Sequence, residues 1–226
     1  MKALSFAAKM VAAVAIVAIP WMNSASAADD VASTVHNLST TGPGTATFGL
    51  QAGGETDDAC IFCHAPHNTD TTAAAPLWNR ATDNTGYTMY SSATIDMTIA
   101  AAPQGISLAC LSCHDGVITF DSLYQANGTY SATAANRTWT FEATGDTLTG
   151  SAAMSKDLTN SHPISVTYDN TADTAFNATP ANLPLYGAGA DQVECGSCHN
   201  PHDNTNGQFL RMANTASALC KDCHIK

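Results

Sequence analysis

Apolar residues in this chain fall into one long run and many short ones. The long run, Met10 to Ile19, carries no charge and is entered past Lys2 and Lys9. It stops at Pro20, and Ala25-Ser26-Ala27 follows. A basic start, a short apolar stretch and a small-x-small tripeptide form a secretory leader, so residues 1–27 are predicted to be a signal peptide cleaved after Ala27. About ten apolar residues are too few for a bilayer, which takes about 20 in a helix. No cysteine accompanies the cleavage site and no later stretch is long and apolar enough to span. The mature chain is therefore expected to be exported and soluble, at the cell surface or outside it, with the periplasm as the alternative.

Beyond the leader the apolar runs are short. Thr138-Trp139-Thr140-Phe141-Glu142 alternates with period two, a strand or hairpin signal. Short apolar runs before Cys110 and Cys220 suit helices of one to three turns. Pro, Gly and Asn recur too often for long helices. The predicted fold is mostly irregular coil with a few short α-helices and short β-strands. Ala, Thr, Asn, Gly and Ser dominate, and large aliphatic residues are sparse in the mature part. Side chains of this kind bury too little apolar surface to offset the entropy of ordering, so something other than side chains must fill the core.

The cysteines say what. All eight lie in four C-x-x-C-H units: Cys60/Cys63-His64, Cys110/Cys113-His114, Cys195/Cys198-His199 and Cys220/Cys223-His224. Four histidines lie elsewhere: His36, His67, His162 and His202. The chain repeats itself. Each half holds a lone histidine, then a C-x-x-C-H-x-P-H unit (CIFCHAPHN, CGSCHNPHDN), then a plain C-x-x-C-H unit preceded by Leu-Ala or Ala-Leu. Such internal repeats mark structural units. The division expected is a first half at 28–118, a Thr/Gly-rich β-like insertion at 119–159 and a second half at 160–226.

Isolated C-x-x-C pairs often serve as redox disulfides, and paired C-x-x-C units with histidines can build zinc sites. Neither requires a histidine at the same place after every pair. C-x-x-C-H is the signature of covalent c-type haem attachment, with both thiols on the porphyrin and the histidine under the iron. Four closely packed haems c would also supply the missing core. Each iron takes two axial ligands, so His64, His114, His199 and His224 leave four places, matched by His36, His67, His162 and His202. Counting alone leaves methionine open, since Met89, Met97, Met154 and Met212 also number four; the duplicated positions of the histidines favour them. Residues three apart on a turn are about 5–6 Å apart, so His67 is expected to serve a haem other than that of His64, and His202 one other than that of His199. Six-coordinate irons leave no open site, so the expectation is electron transfer and not enzymatic turnover. A reductase of a small molecule would need one of these histidines to be a non-ligand.

Charge removes other classes. The formal net charge is −11, and loss of the leader removes two lysines and no acid, giving −13. An acidic chain lacks the electrostatic footprint for nucleic acid and is repelled by anionic membranes.

CIFCHAPHN and CGSCHNPHDN resemble the doubled-CXXCH multihaem cytochromes. With His-Asn-Leu-Ser (36–39), Ser-His-Pro-Ile (161–164), CLSCH and CKDCH in order, the chain resembles the extracellular tetrahaem OmcE-type nanowire cytochromes. The resemblance implies four bis-histidine haems c, extensive coil, and polymerisation into a filament in which one histidine of each subunit ligates a haem of the next. His36, near the mature N-terminus, is the expected crossing residue. The partners implied are further copies of the chain, redox partner cytochromes and extracellular electron acceptors. A monomeric periplasmic shuttle to a terminal reductase or outer-membrane conduit is the alternative.

Overall fold

A computed structural model describes residues 31–39, 42–44, 52–53, 58–120, 122–124, 129–130, 137–138, 140–141 and 147–225. The leader at 1–27 and much of the 119–159 segment lie outside them. Most of the described chain is coil and turn. Among the described residues no helix is long and apolar enough to cross a membrane.

Among the described residues there are three two-stranded antiparallel sheets, each strand two residues long. Strand β1 (Ala52–Gly53) pairs with β4 (Thr140–Phe141), and β2 (Thr129–Tyr130) pairs with β3 (Arg137–Thr138). The alternating stretch around Trp139 thus contributes to two of the pairs. The third, β5 (Val166–Thr167) with β6 (Gln192–Val193), belongs to the C-terminal half. Ile99 bridges to Val166 from the other side, and Ala100 N–H donates to Ser165 O at 2.9 Å. Backbone pairing therefore ties the two halves together.

The longest helix, α1 (Gly105–His114), carries the second C-x-x-C-H unit. It begins after buried Pro103 and ends at Asp115, with Gly116 at φ +68°, the left-handed position that glycine occupies without a Cβ penalty. Ser107, Leu108, Ala109, Leu111 and Ser112 are its buried residues. Helix α2 (Cys195–Cys198) and helix α3 (Ala218–Lys221) are single turns at the third and fourth units. Glu194 and Ser197 close α2 with a reciprocal capping box.

Among the described residues the apolar core comes in three small clusters: Leu38, Phe62, Phe120 and Leu148; Ala73, Leu108 and Ala109; Leu111, Leu158 and Ile164. Many buried positions between them are polar, including Asn37, Asn79, Arg80, Asp115, Glu194 and Asp222. This matches a chain whose side chains alone make a thin core.

Candidate haem-attachment sites

Each C-x-x-C-H unit is wound into one helical turn. The amide of the histidine donates to the carbonyl of the first cysteine in three of them: His64 to Cys60 at 2.8 Å, His199 to Cys195 at 3.0 Å and His224 to Cys220 at 2.9 Å. The remaining unit sits in α1, whose ladder does the same work. Cysteines three apart on such a turn lie on one side of it, as two-point attachment to one macrocycle requires. No two of these cysteines form a disulfide.

The two doubled units are built alike. The chain returns past each histidine and forms a bridge, His64 with Trp78 and His199 with Leu210. Asn79 N–H donates to Cys63 O at 2.8 Å, and Arg211 N–H to Cys198 O at 2.9 Å. Their side chains then hold the carbonyl that follows the first cysteine: Asn79 Nδ2 on Ile61 O at 2.7 Å, Arg211 Nε on Gly196 O at 2.6 Å. Different residue types fill the same role, so the duplication is visible in structure where the sequence has drifted.

Five of the eight histidines place Nδ1 against a backbone carbonyl. The acceptors are Pro201 O for His36 (3.2 Å), Pro76 O for His64 (2.7 Å), Ala152 O for His114 (2.8 Å), Pro163 O for His162 (2.9 Å) and Gln208 O for His199 (2.9 Å). A carbonyl can only accept, so Nδ1 must carry the proton and Nε2 the lone pair. Metal-ligating histidines are oriented in this way. Burial and the nearby His114 ring lower His36 to a pKa of about 4, so it is neutral and ligand-competent at ordinary pH.

The rings are also paired. His36 and His114 have centroids 6.2 Å apart, His64 and His202 6.1 Å, and His162 and His224 6.4 Å. With a metal–imidazole bond of about 2.0 Å and about 1.1 Å from nitrogen to ring centre, two trans imidazoles stand about 6.2 Å apart. Each pair joins one motif histidine to one lone histidine. His67 and His199 are left. His67 is exposed and has no ring or hydrogen-bond partner among the described residues. His199 is near enough to His114 for their charges to interact, but no ring faces it among the described residues.

The thiols of successive units are neighbours. Burial and then the Cys113 thiol push Cys63 up to about 12. The neighbouring Cys195 thiol, and then burial, hold Cys110 well above its ordinary value. Burial and then the Cys198 thiol raise Cys223 to about 11. Each unit's thiol thus feels a thiol of the next unit or the one before it.

Two further observations fit a bulky apolar group with carboxylates. Trp78 packs edge-on against His64 at 5.9 Å, and its buried Nε1–H has no hydrogen-bond partner among the described residues, a donor suited to a propionate. No group of three or more His, Cys, Asp or Glu converges on a point among the described residues; six of the histidines gather in twos. Sequence reasoning did not single out Trp78, Asn79, Arg80 or Glu194. Trp78 and Asn79 could have been found by aligning residues 76–80 with 208–212 after the doubled units. Arg80 and Glu194 carry no periodic or motif signal.

No curated protein matches the chain. Residues 188–226, which contain both C-terminal C-x-x-C-H units, match the family described as the doubled CXXCH motif, which indicates covalent attachment of c-type haem and supports placing this chain among the multihaem c-type cytochromes.

Proposed function

We propose that the chain is an exported tetrahaem c-type cytochrome that conducts electrons along a row of bis-histidine haems, and that copies of it polymerise into an extracellular filament. The observation that carries this reading is the histidine pairing: three pairs at 6.1–6.4 Å, with His67 and His199 left over. Bound haem would supply one-electron iron chemistry. Cys60/Cys63, Cys110/Cys113, Cys195/Cys198 and Cys220/Cys223 would hold the four groups in that order, as the thiol neighbours suggest. His36/His114, His64/His202 and His162/His224 would fill three axial pairs. His199 would take its second ligand from His67 of an adjoining copy, because His67 is exposed and no ring faces it among the described residues. This moves the crossing role from His36, whose ring faces His114 within the chain, to His67. Every iron would then be six-coordinate, which favours conduction over catalysis.

Electron microscopy of the haem-loaded full chain, with and without His67→Ala, tests the reading. Filaments of the unsubstituted chain and discrete particles of H67A, each binding one carbon monoxide when reduced, are the expected result. Discrete particles of the unsubstituted chain with all four haems six-coordinate would sink the polymer and leave a soluble shuttle. His36→Ala should open a different iron and leave the filament joints in place.

A further inference from the structure

Arg80 is 1% exposed. Its guanidinium donates only to backbone carbonyls: Nε to Ser112 O at 3.3 Å, Nη2 to Ser112 O at 3.0 Å and to Thr119 O at 2.9 Å, and Nη1 to Phe120 O at 2.9 Å. Among the described residues no carboxylate pairs with it. Arginine is almost never fully buried unless it is paired with an opposite charge. Its guanidinium is thus held by carbonyls and not by an ion pair among the described residues, in a chain with only eight Lys and Arg in all.

Its place is equally specific. Ser112 lies between Cys110 and Cys113, so the carbonyl cage is the wall of the second C-x-x-C-H unit. Arg80 follows Asn79, which holds the first unit closed. Its charge is felt at both, since it opposes the upward push of burial on the Cys63 and Cys113 thiols, at Cys113 against the buried Asp115 carboxylate. The second half has no such cation. Arg211 occupies the position of Asn79, not of Arg80, and is only half-buried. The buried charge beside the third unit is instead a carboxylate, Glu194, 2% exposed and next to Cys195.

We infer that Arg80 tunes the reduction potentials of the first two haems, its buried charge holding them above the values they would have without it. The inference rests on haem attachment at those two units. Reduction adds one electron to an iron and removes one unit of positive charge from the site, with no bond made or broken. A fixed cation nearby favours the reduced form. Through an effective dielectric of about 20 and over roughly 10 Å, one charge biases the equilibrium on the order of tenfold. Burial prevents salt from screening it.

The test is a spectroelectrochemical titration of the haem-loaded full chain with soluble one-electron mediators, resolved into four components. Arg80→Gln keeps donors for the carbonyls and removes the charge; Arg80→Lys keeps the charge and loses the fork. In R80Q two of the four components should shift about tenfold toward the oxidised form at fixed potential, a fall of about 59 mV for a one-electron couple, while the other two hold. In R80K they should stay near the original values at pH 7 and fall as pH rises and the substituted lysine loses its proton. Unmoved components in R80Q, an equal shift of all four, or an R80K shift at pH 7 as large as that of R80Q would overturn the inference. If R80Q does not load haem, the pH series on R80K decides, and failure of both to load would make Arg80 a structural residue and end the proposal. A haem count below four in the unsubstituted chain would instead sink the tetrahaem reading on which the inference stands.

Discussion

His64 and His202 face each other with ring centroids 6.1 Å apart, although one belongs to the first doubled unit and the other to the second. The lone histidine of one unit thus meets the motif histidine of its repeat. The relationship bears on both fold and function, because a metal held between these rings would crosslink the halves of the chain.

His202→Ala is therefore expected to open one iron and only one. Reduced H202A should bind a single carbon monoxide per chain, with the Soret change of one high-spin haem, while the thioether bonds at Cys60 and Cys63 remain. If carbon monoxide binds no better than to the unsubstituted chain, His202 is not the partner of His64.

The buried carboxylates Asp222 and Glu194 predict opposite pH responses. Asp222 accepts from Asn182 N at 2.9 Å, Asn182 Nδ2 at 2.8 Å and Leu183 N at 2.9 Å. Burial pushes its pKa up, but these hydrogen bonds outweigh burial and the net shift is down. A lowered carboxylate stabilises the fold above its unfolded pKa and stops doing so as pH falls below about 3.9. Asp222→Asn should cost about 2 kcal/mol at pH 7, as one charged acceptor is lost. The cost should shrink in acid, and thermal melts at pH 7 and pH 3 check it.

Glu194 runs the other way. Burial raises its pKa, against the hydrogen bonds it accepts from the Ser107 and Ser165 hydroxyls. Its folded form prefers the proton, so the stability it allows is full below about 4.3 and declines as pH rises through its raised folded value. Glu194→Gln keeps an acceptor for both serines and never ionises. Its melting temperature should equal that of the unsubstituted chain near pH 4 and exceed it at pH 8. A variant that is less stable than the unsubstituted chain at pH 8 would contradict this sign.

How much of this could be read from the residues varies with the range of the interaction. The four motif turns are local, and spacing specified them. The apolar run before Cys110 pointed to a helix, and α1 occupies it. Coil elsewhere followed from the density of Pro, Gly and Asn. Turn geometry steered His67 away from the haem of His64, and in the structure the ring facing His64 is that of His202. The choice of His202, and of His114 for His36, is tertiary: it depends on how chain segments 78 to 138 residues apart fold together, which no local pattern encodes. The buried ionic groups were hidden for another reason. Arg80, Glu194 and Asp222 look like ordinary surface residues in sequence, and only their hydrogen-bond partners mark them as interior.

Lys156 and Asp83 join the segment before the second half to the loop after the first doubled unit. Their ion pair measures 2.5 Å, Lys156 Nζ also donates to Thr85 O at 3.0 Å, and it lies 5.0 Å from the Tyr87 ring centre. The Lys156 hydrogen bond lowers Asp83 to about 2. The Asp83 side chain is 40% exposed, so solvent and salt discount the pair. Asp83→Asn should cost only about 0.5 kcal/mol at pH 7. The cost should fade as pH drops from about 3.9 toward 2, and high salt should shrink it further. A loss of several kcal/mol would mean that the pair is a structural keystone and not a surface clamp.

Gly196 tests whether the middle of a C-x-x-C-H turn is constrained by the motif or by its surroundings. The same position holds Ile61, Leu111 and Lys221 in the other three units, so the turn itself accepts side chains. At Gly196 a Cβ would meet Tyr186 Oη at 2.9 Å, Tyr186 Cζ at 3.0 Å and Ile106 Cγ2 at 3.1 Å. Tyr186 cannot retreat freely, because its hydroxyl donates to Gly196 O at 3.2 Å and accepts from Arg211 Nη2 at 2.9 Å. Gly196→Ala should therefore overpack the contact between α2 and α1 and cost about 1–3 kcal/mol. Tyr186→Phe removes the nearest atom and both of its hydrogen bonds, so the two substitutions share one contact and their costs should be less than additive in a double-mutant cycle. Full additivity in melts of haem-loaded protein would place the constraint in the turn itself.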